Sequence, residues 1–375
     1  MTITPFDRRI SRHPRTWVAQ CGSWCGLNCD YCYLADRLEH HRMSPAVAIA
    51  LADAAADFSA DGHRIDLVWH AGEPLGTGIA RFTELVRPFE HLRRQGCLTH
   101  YVQTNATMVT DRWCDFLTAH GFTVGVSLDG PARLNTHRVD WHGKPSYDRT
   151  VRGIAKLREH GIRFSIIAVV TADSVDHPDE LLDFLAGLGP TSIGLNIEET
   201  EGINTVRATP TLDQARRFWR RTIDWSRRHP DTRVRETARL GGDLRRLREQ
   251  PEAPAPLIDP IPTVTWDGHV TLLSPELAGV HAPAYDDFRA GNILDRSMRE
   301  ILGGADQLGY VREFLDALDL CETACPFWRF CHGAQAGNRF FEHGRLDVAE
   351  TRYCRTSKQA LVQALSATVR EELTT

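Results

Sequence analysis

The first 200 residues alternate short, mostly apolar runs with longer amphipathic ones. Six apolar runs stand out: Trp17–Gln20, Ile65–His70, Thr99–Thr104, Thr123–Leu128, Arg163–Val170 and Ser192–Ile197. Each is nearly continuous in hydrophobicity, as strands buried on both faces of a parallel sheet should be. Helical runs lie between them. One opens at Ser44-Pro45, where serine suits the N-cap and proline the first helical position; another covers residues 79–95. Strands alternating with helices predict parallel βα units. Six units fall short of the eight that close a full barrel, so the prediction is an α/β fold built on an open, partial (β/α)6 TIM-like barrel. In such folds chemistry sits at the C-terminal ends of the strands.

After residue 205 the pattern changes. Thr211-Leu-Asp-Gln214 is a capping box opening a helical stretch to residue 249. Residues 251–262 hold five prolines, which neither a helix nor a central strand accepts, and read as a stiff linker. "TVTWDGHVTL" reads as a hairpin with Asp267-Gly268 in its turn, and a last helix is predicted over 356–373. The expected organisation is an N-terminal extension (1–16), the barrel (17–205), a helical bridge with the Pro-rich linker (206–262) and a C-terminal domain (263–375).

Composition is ordinary for a globular protein, and a net charge of -5 gives no general pull toward nucleic acid or anionic membranes. No apolar run approaches the roughly 18 residues of a spanning helix. The opening "MTITPFDRRISRHPRT" lacks the apolar segment of a secretory signal. Both point to the cytoplasm, where ten cysteines argue against a disulfide framework. Four lie at 21, 25, 29 and 32 and four at 321, 325, 331 and 354; only Cys97 and Cys114 fall elsewhere. Clustering toward both ends reads as two metal sites.

Cys25-x3-Cys29-x2-Cys32 offers three thiolates from one loop, one fewer than a tetrahedral zinc or a closed cubane needs. This spacing, within "CGLNCDYCYL", resembles that of the radical S-adenosylmethionine (SAM) enzymes. The resemblance implies a [4Fe–4S] cluster with one iron open to SAM, and Tyr31 and Tyr33 beside the cofactor. Cys21 offers a rival register, Cys21-x3-Cys25-x3-Cys29, but the x3-then-x2 spacing is met only by Cys25, Cys29 and Cys32. Cys21 is expected to be a packed thiol.

Three further segments resemble the same enzymes, and each follows a strand. "WHAGEPL" is similar to their Gly-Gly-Glu-Pro motif, with Ala71 in place of the first glycine. It implies that backbone near Gly72 and the Glu73 carboxylate meet the SAM ammonium. "QTNAT" and "VSLDGP" imply SAM contacts from Gln103, Asn105, Ser127 and Asp129, with Ser127 toward the ribose hydroxyls. Arg138, in "NTHRVD", matches an arginine that meets the SAM carboxylate. For Gln103, Asn105 and Asp129 a purely turn-forming role is the alternative.

Cys321-x3-Cys325-x5-Cys331-x22-Cys354 is a complete four-ligand set. It resembles the auxiliary-cluster (SPASM/twitch-like) extension of radical SAM peptide maturases. That extension often holds two auxiliary clusters; here Ser274 and Gln335 stand where ligands of the other would be, so one auxiliary [4Fe–4S] cluster is expected. Structural zinc is the alternative.

A closed cluster beyond a radical site suits an electron acceptor and hence oxidative chemistry. A proton must leave as well, and "NIEETEG" places Glu198, Glu199 and Glu201 after the sixth strand as candidate bases; a solvated acidic loop is the alternative. "GLNIEETEGIN" and "CHGAQAGNRFFEHGRLDVAETRYC" look like maturases that form three-residue cyclophanes, joining an aromatic ring to a Cβ in a ribosomal precursor peptide. The resemblance implies that peptide as partner and a reductant such as flavodoxin or ferredoxin. The competing expectations are formylglycine formation in a sulfatase, thioether cross-linking, and a non-catalytic peptide-binding scaffold. With sixteen residues before the first strand, no N-terminal recognition domain is expected. The Arg-rich stretch 216–248 could attract an acidic leader, against the plainer reading of a solvated charged face.

Overall fold

A computed structural model describes residues 4–34, 37–333 and 335–374, the last three of these by backbone only; of the N-terminal extension, residues 1–3 lie outside it. Six parallel strands carry the first half: β1 (Thr16–Ala19), β2 (Ile65–Trp69), β3 (Leu98–Thr104), β4 (Thr123–Ser127), β5 (Phe164–Val170) and β6 (Ile193–Ile197). They lie side by side in chain order, with Trp17 opposite Leu67, Val102 opposite Val124 and Ile166 opposite Ile193. Helices return each strand to the next, as parallel pairing requires. Their caps follow the local sequence: the Ser44 hydroxyl accepts from Val47 N at 3.3 Å, with Pro45 at the first position.

β1, β4 and β6 carry runs of consecutive buried residues, as expected, whereas β2, β3 and β5 are buried on one face. In β3 and β5 buried and part-exposed residues alternate strictly. The outer set (Val102, Ile166, Ala168) packs under the helices. The inner set (Gln103, Ile167, Val169) lines a cavity, because an open six-stranded arc leaves its concave face unfilled.

Three short strands extend the sheet past β1. β7 (Thr263–Val264) pairs parallel with β1, and β8 (His269–Thr271) and β9 (Gly291–Asn292) follow antiparallel, giving nine strands in one sheet. The predicted hairpin is thus hydrogen-bonded to the barrel, and the C-terminal region continues the barrel's own sheet. The helical stretch predicted over 211–249 is two helices, Leu212–Arg228 and Arg235–Glu249. The break falls at His229-Pro230, where proline cannot continue a helix. Residues Cys354–Gln359 form a π-helical turn leading into Ala360–Thr374, and Trp219 Nε1 donates to the Thr356 carbonyl at 2.7 Å to hold that turn. Among the described residues no helix is long and apolar enough to cross a membrane.

Candidate functional site

At the C-terminal ends of the strands lies a cavity of about 310 Å³. Its wall includes Cys25, Cys29, Cys32, Tyr31, Tyr33, Gly72, Glu73, Gln103, Asn105, Ser127, Arg138, Glu198, Glu199 and Glu201. Of the SAM-site residues proposed from sequence, Asp129 alone is not on the wall.

The loop after β1 is pinned by its backbone. Asn28 N donates to Val139 O at 2.8 Å, Asp30 N to His137 O at 3.0 Å, and Trp141 Nε1 to Cys25 O at 2.9 Å. All three thiols are free. Burial pushes Cys25 up to about 12, helped by the Glu73 charge, and Cys29 up to about 11. Leu27 N and Asn105 Nδ2 point at Cys25 Sγ, at 3.4 and 3.8 Å. Buried neighbours such as Cys25 and Cys29 ionise together only against strong positive charge, and donors aimed at sulfur are what a ligated thiolate uses. The donor set therefore fits an iron–sulfur cluster. Cys21 lies apart, 1% exposed in the main core, with Thr77 Oγ1 at 3.5 Å and its thiol pushed up to about 12 by burial.

Glu73 is buried and caps the short helix Pro74–Thr77. It accepts from Leu75 N (3.1 Å), Thr104 Oγ1 (2.6 Å) and Asn105 N (2.8 Å). Burial raises its pKa while these donors oppose the rise. The turn that presents it runs through left-handed backbone: Gly72 has φ +59° and its Cβ would stand 2.5 Å from the Trp24 carbonyl oxygen. Ala71, where the motif has glycine, also takes a left-handed φ, +70°, a conformation alanine holds only under constraint.

Gln103 Nε2 donates to Ser127 Oγ at 2.8 Å across β3 and β4. Asp129 is turned away from the cavity. It pairs with Arg138 at 3.1 Å and accepts from Val169 N at 2.9 Å and from the Tyr31 hydroxyl. Arg138 also stands over the Tyr31 ring at 5.5 Å. Asp129 thus orients Tyr31 and Arg138 and is corrected here from cofactor contact to support.

The acidic loop after β6 turns its carboxylates toward the cavity, with Glu198 buried and Glu199 and Glu201 half-buried. Glu198 is 4% exposed and pairs with Arg207 at 2.7 Å. Glu199 and Glu201 share the amide of Asn338, whose Nδ2 donates to both carboxylates. Burial raises the Glu199 pKa well above the carboxylate range, with Glu201 adding to it; burial and Glu276 push Glu201 to about 8. Glu276 is the residue that sequence reasoning missed. It stands on the same cavity wall and accepts from Ser274 Oγ at 2.6 Å. Its only signal was its place two residues after Ser274. His70, also on the wall, meets the Tyr33 hydroxyl at 3.3 Å and is held neutral, its pKa lowered to about 4 by burial.

The second cysteine set converges from three elements: Cys321 near the end of Gly309–Ala324 with Cys325 capping it, Cys331 closing Trp328–Cys331, and Cys354 opening the π turn. Its sulfurs also receive donors, Gly333 N to Cys331 at 3.4 Å and Gln359 Nε2 to Cys354 at 3.4 Å. Among the described residues no three His, Cys, Asp or Glu converge as the ligands of a single ion do. Four thiolates match the ligand number of a structural zinc and of a closed cubane alike.

The arginines of 216–248 mostly face carboxylates: Arg217 pairs with Asp176, Arg221 and Arg228 with Asp179, and Arg220 with Glu371. This is the solvated, ion-paired face.

The radical SAM superfamily profile matches residues 20–185, the span that holds the three-cysteine loop, Glu73, Gln103, Ser127 and Arg138. The uncharacterized protein sll1766 of Synechocystis is 33% identical over 373 residues, 95% of this chain and 92% of that one. The chain belongs to the radical SAM superfamily. A serine-type anaerobic sulfatase-maturating enzyme of Bacteroides thetaiotaomicron is 28% identical over 189 residues, and this match spans 45% of that enzyme's length. Among solved structures, anSMEcpe with bound AdoMet superposes with TM-score 0.75 at 20% identity, over 95% of this chain and 98% of that one. Streptococcus suis SuiB bound to precursor peptide SuiA superposes with TM-score 0.64 at 16% identity, over 92% and 76%. These likenesses establish a shared radical SAM fold across both halves of the chain.

Proposed function

We propose that this radical SAM enzyme oxidatively cross-links a ribosomal precursor peptide, joining an aromatic ring to the Cβ of a residue two positions later. The observation that carries the reading is the placement of Glu199 and Glu201. They stand in the cavity of the three-cysteine loop and are held by Asn338, which belongs to the region of the second cysteine set.

When bound, SAM and two [4Fe–4S] clusters supply a 5′-deoxyadenosyl radical that removes one substrate hydrogen atom, and an acceptor for the one electron that follows. Cys25, Cys29 and Cys32 are the residues to hold the SAM-binding cluster; Cys321, Cys325, Cys331 and Cys354 are those for the auxiliary one. Glu73, a buried carboxylate on the cavity wall, suits the SAM ammonium. Ser127, oriented by Gln103, suits a hydroxyl. Arg138 and Tyr31, fixed by Asp129, suit a carboxylate and a flat face. Glu201 takes the proton that leaves with the second electron. Its pKa, raised to about 8 by burial and Glu276, lets it keep the proton it takes while leaving it ionised at mildly alkaline pH. Asn338, donating to both carboxylates, holds Glu199 beside Glu201 as the proton is taken up. The peptide thus loses two hydrogens, one as an atom and one as electron plus proton. A reductant such as flavodoxin or ferredoxin would deliver the priming electron.

A second reading, formylglycine formation in a sulfatase, is favoured by the match to the sulfatase-maturating enzyme. The likeness to SuiB with its bound peptide supports a peptide substrate under either reading. Anaerobic incubation of the reconstituted enzyme with SAM, a reductant and either peptides carrying aromatic-x-x segments or a sulfatase, followed by mass spectrometry, separates them. A loss of two hydrogens within an aromatic-x-x segment supports the cross-link. A mass change at one serine or cysteine of a sulfatase overturns it.

A further inference from the structure

Arg339 is a buried cation without an acid. It is 2% exposed and among the largest fully buried side chains. Its Nε donates to Val348 O (2.7 Å), Nη1 to Gln335 O (2.8 Å) and Nη2 to Gly333 O (2.6 Å); Nη2 also reaches Cys321 Sγ at 3.6 Å. The Phe314 ring lies 5.1 Å below the guanidinium. Three carbonyls and one thiol satisfy its donors, but among the described residues no carboxylate balances its charge. Lys358 repeats the pattern one turn beyond Cys354. It stands over the Tyr353 ring at 5.4 Å and, with Cys331, lines a second cavity of about 320 Å³. It forms no ion pair among the described residues, although the charges of Glu236 and Glu199 act on it.

An unpaired buried charge costs several kcal/mol, and arginine cannot shed its proton to avoid that. Among the described residues the anion within reach of Arg339 is the cysteine set it touches. Neutral thiols would leave the charge uncompensated; thiolates around a cluster would answer it. One-electron reduction adds negative charge at those sulfurs, and a fixed cation at hydrogen-bond reach favours the reduced form. We propose that Arg339, assisted by Lys358, is the counter-cation of the auxiliary cluster at Cys321, Cys325, Cys331 and Cys354, and holds its reduction potential high enough to accept the electron released by the substrate. This rests on reading those cysteines as a cluster site. Arg339 and Lys358 are positioning residues, acting through the cluster and not on the peptide.

The test is an EPR-monitored redox titration of the full-length, anaerobically reconstituted enzyme, with iron and sulfide counted on each sample. Wild type is compared with Arg339→Gln, Arg339→Lys and Lys358→Gln. The expected result has four parts: about eight irons per chain, a more negative auxiliary midpoint in Arg339→Gln, a smaller shift of the same sign in Lys358→Gln, and recovery toward wild type in Arg339→Lys. The SAM-binding cluster's potential stays fixed throughout. Full iron loading with an unmoved auxiliary midpoint in Arg339→Gln overturns the proposal. If Arg339→Gln does not load, an unmoved midpoint in Lys358→Gln overturns it instead. About four irons in the wild type overturn the cluster reading itself, and the iron count tells that failure apart from the other.

Discussion

A Cβ at residue 202 would stand 2.0 Å from the carbonyl oxygen of Tyr33, and Gly202 has φ +55°. Ile203 N donates to the same oxygen at 3.3 Å. The acidic loop therefore rests directly on the backbone that follows Cys32, and that contact places Glu201 in the cavity. Gly202→Ala must push the two loops apart and adopt a left-handed φ, at a stability cost of about 1–3 kcal/mol. A displacement of about 1 Å at a reacting centre can lower turnover on the order of 100-fold. The expected outcome is an enzyme that keeps its iron and its SAM binding but loses most peptide turnover, checked by iron assay, SAM titration and product quantification. Turnover near wild type would mean that the loop does not position the base.

Local signals were readable where local physics decides. All six barrel strands lie within one residue of their predicted bounds, because each apolar run is framed by turn or cap residues. The three-cysteine loop and Glu73 were legible because each follows its strand at once. Asp129 was misassigned because its side-chain direction depends on Arg138 and Tyr31, which no spacing reveals. Glu276 and Arg339 were missed for the same reason. Glu276 reaches Glu201 only because β7 and β8 extend the sheet beyond β1, and Arg339 reads as one more charge on an amphipathic helix until its burial is seen. The burial of Glu199 likewise comes from Asn338, a partner distant in sequence.

The Glu199–Glu201 pair predicts a pH profile. Glu201 is raised from about 4.5 to about 8, first by burial and then by Glu276. As a base it must be ionised, so peptide turnover should rise with pH through about 8, and the apparent value belongs to the coupled pair. In Glu201→Gln that rising limb should disappear along with most of the turnover. Stability carries the opposite sign. The buried protonated carboxyl favours the folded state fully below about 4.5, and that contribution is lost as pH climbs through about 8. Thermal midpoints of the holoenzyme between pH 6 and 9 should therefore fall less steeply in Glu201→Gln than in wild type. Equal slopes would show that Glu201 does not titrate in this range.

Glu198 should behave differently from its neighbours. Its Oε1 accepts from Arg207 at 2.7 Å with almost no exposure, while Oε2 is buried without a partner among the described residues, so the ion pair anchors the loop. Glu198→Gln should leave the shape of the pH profile intact while lowering stability on the order of 2–3 kcal/mol, because Arg207 keeps its charge without its partner. Arg207→Gln should destabilise comparably, and the double variant less than the sum of the two. A pH profile that loses its rising limb in Glu198→Gln would move the base assignment from Glu201 to Glu198.

The cysteine register has a direct test. Cys21 Sγ lies in the main core with Thr77 Oγ1 as its polar neighbour, while Cys25, Cys29 and Cys32 share the cavity wall beside Asn105. Removing a buried thiol from a packed core costs about 1–2 kcal/mol and touches no ligand. Cys21→Ala should then load iron as wild type does, about eight per chain, with a lowered thermal midpoint as its only mark. Cys32→Ala should lose about four irons, bind SAM weakly and release no 5′-deoxyadenosine, while the signal of the auxiliary cluster persists. The reverse pattern, with Cys21→Ala losing the cluster and Cys32→Ala keeping it, would shift the register to Cys21, Cys25 and Cys29. SAM would then have to approach from the side of Thr77, where the main core packs against Cys21.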